Sequence, residues 1–271
     1  LEGVTGTKDV ELFVELARAH HALGSTERAW AALRRGLEVD ASEARLHLLA
    51  GTLHAEKGEH ARALESFQRA ARLDTELIDA LIGAGTALMA LNRPEEAVTP
   101  FLQACRQSPG YGDAQLRLAD LLLSLRRPED AMERYRAAEE LLGEVALPGL
   151  ADCLSAMGRH EEALATLRPF LDRPDAPTRA LCLLASANLR LGKVDTALDL
   201  LERADDGNGR VRWVRGLAFA TQSRFEDAVA ELQIAMRTER VDGEGYFTLG
   251  ACFHHLGRAS DAATAYEWAV S

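Results

Sequence analysis

The sequence predicts an all-α protein, a solenoid of stacked antiparallel helix pairs, and three observations lead there. A seven-residue string with alanine in sixth place recurs eight times in the 271 residues: GSTERAW (24–30), GEHARAL (58–64), NRPEEAV (92–98), RRPEDAM (126–132), GRHEEAL (158–164), GKVDTAL (192–198), SRFEDAV (223–229) and GRASDAA (257–263). Its alanines, Ala29, Ala63, Ala97, Ala131, Ala163, Ala197, Ala228 and Ala262, lie 34, 34, 34, 32, 34, 31 and 34 residues apart, a period that marks a repeat architecture. Each string separates two apolar patterns of helical spacing. Finally, 47% apolar and 27% charged residues suit a chain that buries a large core.

The elements follow in order. A lead-in at 1–9 precedes repeats expected at 10–43, 44–77, 78–111, 112–143, 144–177, 178–208, 209–242 and 243–271. In the third repeat, Leu81, Ala84, Gly85 and Leu88 form one stripe of the first helix. Asn92-Arg93-Pro94 turns the chain, and Ala97, Phe101 and Ala104 form the stripe of the second helix. Pro94 and Pro128 precede second helices, where the first N–H groups need no intrahelical partner. The acids after each turn, such as Glu95, Glu96, Glu129 and Asp130, favour the positive end of the helix dipole, which makes them helix-start stabilisers rather than catalytic pairs. The fifth repeat breaks the pattern with Pro148, Pro169, Pro174 and Pro177. There Pro148 is expected to start a shortened helix and Pro169 to end or kink the second one, a candidate bend.

A small residue recurs in the first helices: Gly51, Gly85, Gly216 and Gly250, with Ala17, Ala119, Ala151 and Ala185 elsewhere. Four positions after the shared alanine stands a large residue (Leu33, Phe67, Phe101, Tyr135, Leu167, Leu201, Leu232, Tyr266). Three further on stands a small one, except at Phe170. Small residues let helix backbones approach, and the large one fills the hole between them. On these residues the chain resembles the tetratricopeptide-repeat family over 10–271. The family's closing proline is present once, as Pro109. The resemblance implies a right-handed superhelical solenoid, no enzyme activity, no cofactor, and a concave groove lined by the first helices.

Several function classes are disfavoured. Acids outnumber bases 42 to 31, giving a net charge of -11, and non-specific nucleic-acid affinity comes from basic side chains. No apolar run reaches the ~18 residues of a membrane span. Cys105, Cys153, Cys182 and Cys252 lack CxxC spacing and read as reduced thiols of a cytoplasmic protein. Phosphate-loop, nucleophile-elbow and dinucleotide motifs are missing. HEEAL (160–164) lacks a second metal-ligating histidine, and His47 and His54 share a face without a third ligand, so no metal site is expected. RVRWVRG (210–216) is the one locally basic, aromatic stretch, and Arg210 or Arg212 could contact a phosphate or carboxylate. Arginine supplies 28 of the 31 bases, a bias of GC-rich, bacterial genomes.

Mapped by the resemblance, the groove holds Leu48, Thr52, Asp79, Ile82, Thr86, Met89, Asp113, Leu116, Asp120 and Leu123. Beyond the candidate bend it holds Asp152, Arg179, Cys182, Leu189, Arg210, Trp213, Leu217 and Phe247. The family's carboxylate-clamping Lys and Asn are replaced by Leu48, Thr52, Ile82 and Thr86, which disfavours capture of a peptide's terminal carboxylate. An apolar stripe beside aspartates suits an amphipathic protein or peptide partner bearing basic residues. The expected function is therefore a scaffold or adaptor for protein–protein interaction. The alternatives are the binding arm of a longer enzyme, such as a glycosyltransferase, or a periplasmic secretion or envelope-assembly protein. The chain starts at Leu1 and stops within a helical pattern at Ser271, which reads as a fragment with an uncapped end open to self-association.

Overall fold

The computed structural model describes residues 2–238 and 243–270, with side chains from residue 9 onward and without that of Glu244. It is all-α: every described element is helical. Tertiary contacts gather the chain into two compact units, Leu1–Gly143 and Glu144–Ser271.

The first unit contains α1 (Glu2–Ala22), α2 (Thr26–Val39), α3 (Ala44–Glu56), α4 (His60–Leu73), α5 (Ile78–Ala90), α6 (Pro94–Gln107), α7 (Gly112–Ser124) and α8 (Pro128–Leu142). Odd-numbered helices are the first helices of repeats and even-numbered ones the second. Each pairs with the next, α1 with α2, α3 with α4, and α4 with α5, so the unit is an unbroken helical-repeat stack. The segment expected as a lead-in is helical, because α1 starts at Glu2. Val10, Val14 and Leu46 form a small core that holds the apolar part of α1, and extending a helix from a fixed stretch adds one hydrogen bond per residue. A second cluster joins Ala17, Ala29, Leu33, Leu49 and Leu53 of α1, α2 and α3. Pro100 lies inside α6 without ending it.

In the second unit a 3-10 turn, Gly143–Ala146, leads into α9 (Leu147–Ala156). It continues with α10 (His160–Thr166), α11 (Arg168–Leu171), α12 (Thr178–Arg190), α13 (Val194–Glu202), α14 (Gly209–Thr221), α15 (Phe225–Thr238), α16 (Gly243–His255) and α17 (Ala259–Val270). The proline-rich repeat behaves as its residues require. Pro148 occupies the first turn of a ten-residue helix. The second helix is split at Leu167, with Pro169 in the first turn of the new segment, because proline has no N–H for the bond an interior position would need.

Two local devices fix every repeat. The first residue of each seven-residue string adopts left-handed backbone: Gly24, Gly58, Gly158, Gly192 and Gly257 at φ 68° to 76°, and Asn92, Arg126 and Ser223 at 59° to 60°. The following N–H donates five residues back, as from Ser25 to His20 O, Arg93 to Leu88 O and Arg258 to Phe253 O. This C-terminal cap satisfies carbonyls the first helix would leave unpaired. The second device is close packing of small on large. A Cβ on Gly51 would lie 2.6 Å from the Phe67 ring, one on Gly85 2.7 Å from Phe101, and one on Gly250 2.6 Å from Tyr266. The expected small-on-large rule is thus a steric fact of the helix pairs.

Candidate functional site

The first unit presents a ladder. Leu48, Ile82 and Leu116 occupy the same position of α3, α5 and α7, 34 residues apart, with Thr52, Thr86 and Asp120 one helical turn further on. Leu48, Thr52, Leu116 and Leu123 are half-buried, Thr86 is exposed and Met89 is 39% exposed. The threonine hydroxyls donate within their own helices, Thr52 to Leu48 O at 3.2 Å and Thr86 to Ile82 O at 2.9 Å. That leaves their methyl groups as the surface they add. Ile82, by contrast, is only 9% exposed and belongs largely to the core.

The aspartates of this face are all engaged. Asp79 is exposed and accepts from the Tyr111 hydroxyl at 3.4 Å, and Asp113 pairs with Arg117 at 2.7 Å across one turn of α7. Asp120 accepts a short hydrogen bond from Tyr135 of α8, whose ring is fully buried. Tyr135 is the large residue that packs where its repeat has the small residue Ala119, so its phenol reaches the neighbouring position. Asp120 therefore serves first as the partner of a buried tyrosine. Tyr111 and Arg117 were not foreseen as parts of this face; the signal for both was charge or polarity next to a predicted groove acid.

In the second unit Leu189 and Leu217 are half-buried, and Phe247 is 60% exposed with its ring 5.6 Å from that of Tyr266. Trp213 is half-buried: it packs against the core cluster of Ala228, Leu232, Leu249 and Phe253, so part of its side chain fills space between helices. One residue separates a groove position from a core position on a helix face, and that part of the side chain follows the larger apolar contact.

The basic stretch resolves into distinct roles. Arg212 pairs with Glu231 at 3.1 Å, and Arg215 pairs with Asp206 at 2.6 Å and reaches Glu231 at 3.7 Å. Arg212, Arg215 and Glu231 are all mostly buried, which ties α14 to α15. Arg210 stays exposed, and its backbone N–H donates to the Asn208 side chain at 2.9 Å, capping α14. Around it lies a pocket of about 360 Å³ lined by Asp152, Thr178, Arg179, Cys182, Leu183, Asn208 and Arg210. Four of these (Asp152, Arg179, Cys182 and Arg210) were expected on the groove, and the fold brings them together from α9, α12 and α14. Arg179 and Asp152 stand 3.7 Å apart across the pocket.

The remaining candidate groups are accounted for locally. His47 bonds with Ala41 O at 2.9 Å and His54 with Glu59 at 2.7 Å, so the two histidines serve separate turns. All four cysteines are buried and outside any disulfide among the described residues, and burial raises the thiols of Cys105 and Cys252 above their ordinary value.

Comparison with known proteins follows the same lines. No curated protein matches the chain in sequence. Among solved structures it is similar to a tetratricopeptide repeat protein from Parabacteroides merdae, with 16% identity and TM-score 0.71 over 91% of this chain and 99% of the other. It is also similar to Pseudomonas aeruginosa pilF, with 22% identity and TM-score 0.62 over 73% of this chain and 91% of the other. YrrB, described as a TPR protein with an unusual peptide-binding site, shares 24% identity at TM-score 0.58 over 70% of this chain and 97% of its own. These likenesses establish the fold. The sequence model of the tetratricopeptide repeat itself matches residues 14–77, 82–145, 149–210 and 214–270. Four matches that leave few residues uncovered, on helix pairs joined by one recurring turn and packed glycine to aromatic, make this chain a member of the tetratricopeptide-repeat family.

Proposed function

We propose that the chain is a non-catalytic scaffold that binds a protein or peptide on the first-helix faces of its repeats. The observation that carries this reading is the ladder of the first unit. Leu48 and Leu116 are half-buried aliphatic side chains at matching positions, with Met89 exposed between them and the carboxylates of Asp79 and Asp113 alongside. Apolar side chains repeated along one face suit the anchors of an amphipathic helix or an extended segment. The aspartates, although hydrogen-bonded, carry negative charge that favours Arg or Lys beside those anchors. The family supports a binding role, and YrrB supplies a structural precedent for peptide binding on this fold.

The test is selection of binders from a random peptide library displayed on phage, followed by affinity measurement. Enriched peptides should carry Leu or Phe anchors near Arg or Lys. Met89→Asp combined with Leu116→Asp should weaken them at least about tenfold, the loss expected when central anchors are removed, while the helical circular dichroism persists. Ile82 is unsuitable for this purpose because its burial would confound binding with folding. Enriched peptides indifferent to both substitutions would place binding elsewhere and overturn the proposal.

A further inference from the structure

We infer that copies of this chain associate head to tail, with α17 of one copy packing on an exposed leucine stripe of α1 in the next.

Leu12, Leu16, Ala19 and Leu23 follow the spacing of one helix face, and all four are exposed, the leucines at 63%, 40% and 77%. The same positions are closed in other repeats. Leu12 aligns at 34-residue steps with Leu46, Ala80 and Ala114, which are fully buried. The positions of Leu16 and Ala19 are likewise buried in α3, α5 and α7. In the second unit the position of Leu12 is buried again, as Ala146, Ala180 and Val211. A face that the rest of the fold keeps from water is thus open on α1, and contiguous apolar surface of this kind marks an association site.

What closes the face elsewhere is the second helix of the repeat before. Gly36 of α2 sits against Leu46 of α3, where an added Cβ would lie 2.7 Å from Leu46 Cδ1, and Leu37 packs against the Val10, Val14 and Leu46 core. Met236 of α15, which aligns with Leu37, packs against the cluster that includes Leu249 and Phe253 of α16. In α17 the residues aligned with Gly36 and Leu37 are Ala269 and Val270. Val270 is 88% exposed and Ala269 is half-buried, whereas Ala70 and Ala104 at the matching positions are fully buried. Tyr266 is half-buried too, although Leu33 and Leu232, which align with it, are closed.

The two open faces are therefore the two halves of one contact that the chain already makes within itself, as in α2 on α3, α4 on α5 and α15 on α16. This match, residue by residue, is what selects a second copy as the occupant. Leu12 lies at the surface and is free to change rotamer to seat the Ala269 methyl. Because two different faces meet, each added copy leaves one face of each kind open, and association does not stop at two. Charge opposes the contact: each copy carries -11, and Asp9 beside the stripe and Glu267 beside Ala269 have the same sign. Salt screens that repulsion, so association strengthens with ionic strength, the reverse of an interface driven by ion pairs.

The experiment is sedimentation velocity of the full chain over a dilution series at low and raised salt. The mean mass should grow with concentration past two copies, and grow more at raised salt. Leu12→Asp/Leu16→Asp should move the association midpoint up about tenfold or more, and Ala269→Glu/Val270→Glu should do the same, as when central anchors are lost. An equimolar mixture of these two variants should form a pair of chains and nothing larger, because each supplies the face the other lacks. A second measurement leaves both faces intact: Leu12→Cys mixed with Val270→Cys should cross-link on oxidation, whereas neither chain should do so alone. A parent that stays monomeric at both salts, a mass that stops at two, cross-linking of Leu12→Cys with itself, or a mixture that neither pairs nor cross-links would overturn the inference. The Met89→Asp/Leu116→Asp chain should associate like the parent, so loss of peptide binding and loss of association are read separately.

Discussion

At Gly85 the distance from an added Cβ to the Phe101 ring, 2.7 Å, is far inside van der Waals contact. The ring is itself 3% exposed, so it has little room to retreat. Gly85→Ala should therefore cost about 1–3 kcal/mol, the usual range for overpacking, with the gain in helix propensity offsetting only part of it. Urea unfolding of the two chains measures this; an unchanged midpoint would show that the helix pair opens without cost. The need for a small residue here was readable from the repeat pattern, because Gly51, Gly85, Gly216 and Gly250 all align. The fate of Asp120 was not. Its position predicted an open groove acid, and its capture by Tyr135 depends on how far a phenol reaches once the ring is buried.

At the scale of the helix, α14 shows how a run of like residues acquires separate roles. RVRWVRG reads as one basic, aromatic stretch. In the fold Glu231 of α15 accepts Arg212 and approaches Arg215, part of Trp213 fills space between helices, and Arg210 alone faces the pocket. Glu231 lies far along the chain from all of them, so no local pattern could reveal it. Glu231→Gln should destabilise the second unit by about 2 kcal/mol, because two mostly buried guanidinium groups lose a charged acceptor. Hydrogen exchange across α14 and α15 checks this. Protection equal to the parent would mean that solvent already serves these arginines. The interruptions around α9 to α11 were legible in advance, since proline acts through its own covalent structure.

For the whole molecule, charge sets the pH response. Hydrogen bonds from Arg45 hold Glu43 below its ordinary value of 4.5, Arg93 does the same for Glu96, and Arg215 holds Asp206 below 3.8. Near and below those values the folded chain binds fewer protons than the unfolded one, so stability is complete above about pH 5 and falls as the medium becomes more acidic. The melting temperature should hold near neutrality and drop steadily below about pH 4.5 as these pairs are lost. A melting temperature still unchanged near pH 3 would show that the pairs contribute nothing to folding, as exposed ion pairs sometimes do.

The sequence by itself determined the repeat, the placing of the turns, the pairing of small with large residues and the broken helices of the proline-rich repeat. All of these depend on residues a few positions apart, on helical period or on the backbone chemistry of proline and glycine. Tertiary structure alone decided which predicted groove residues are open. Ile82 and part of Trp213 went into the packing, Asp120 to a tyrosine, and Arg210 to a pocket shared with Arg179 and Asp152. A side chain's last few ångströms are set by partners on other helices, whose distance along the chain carries no periodic signal.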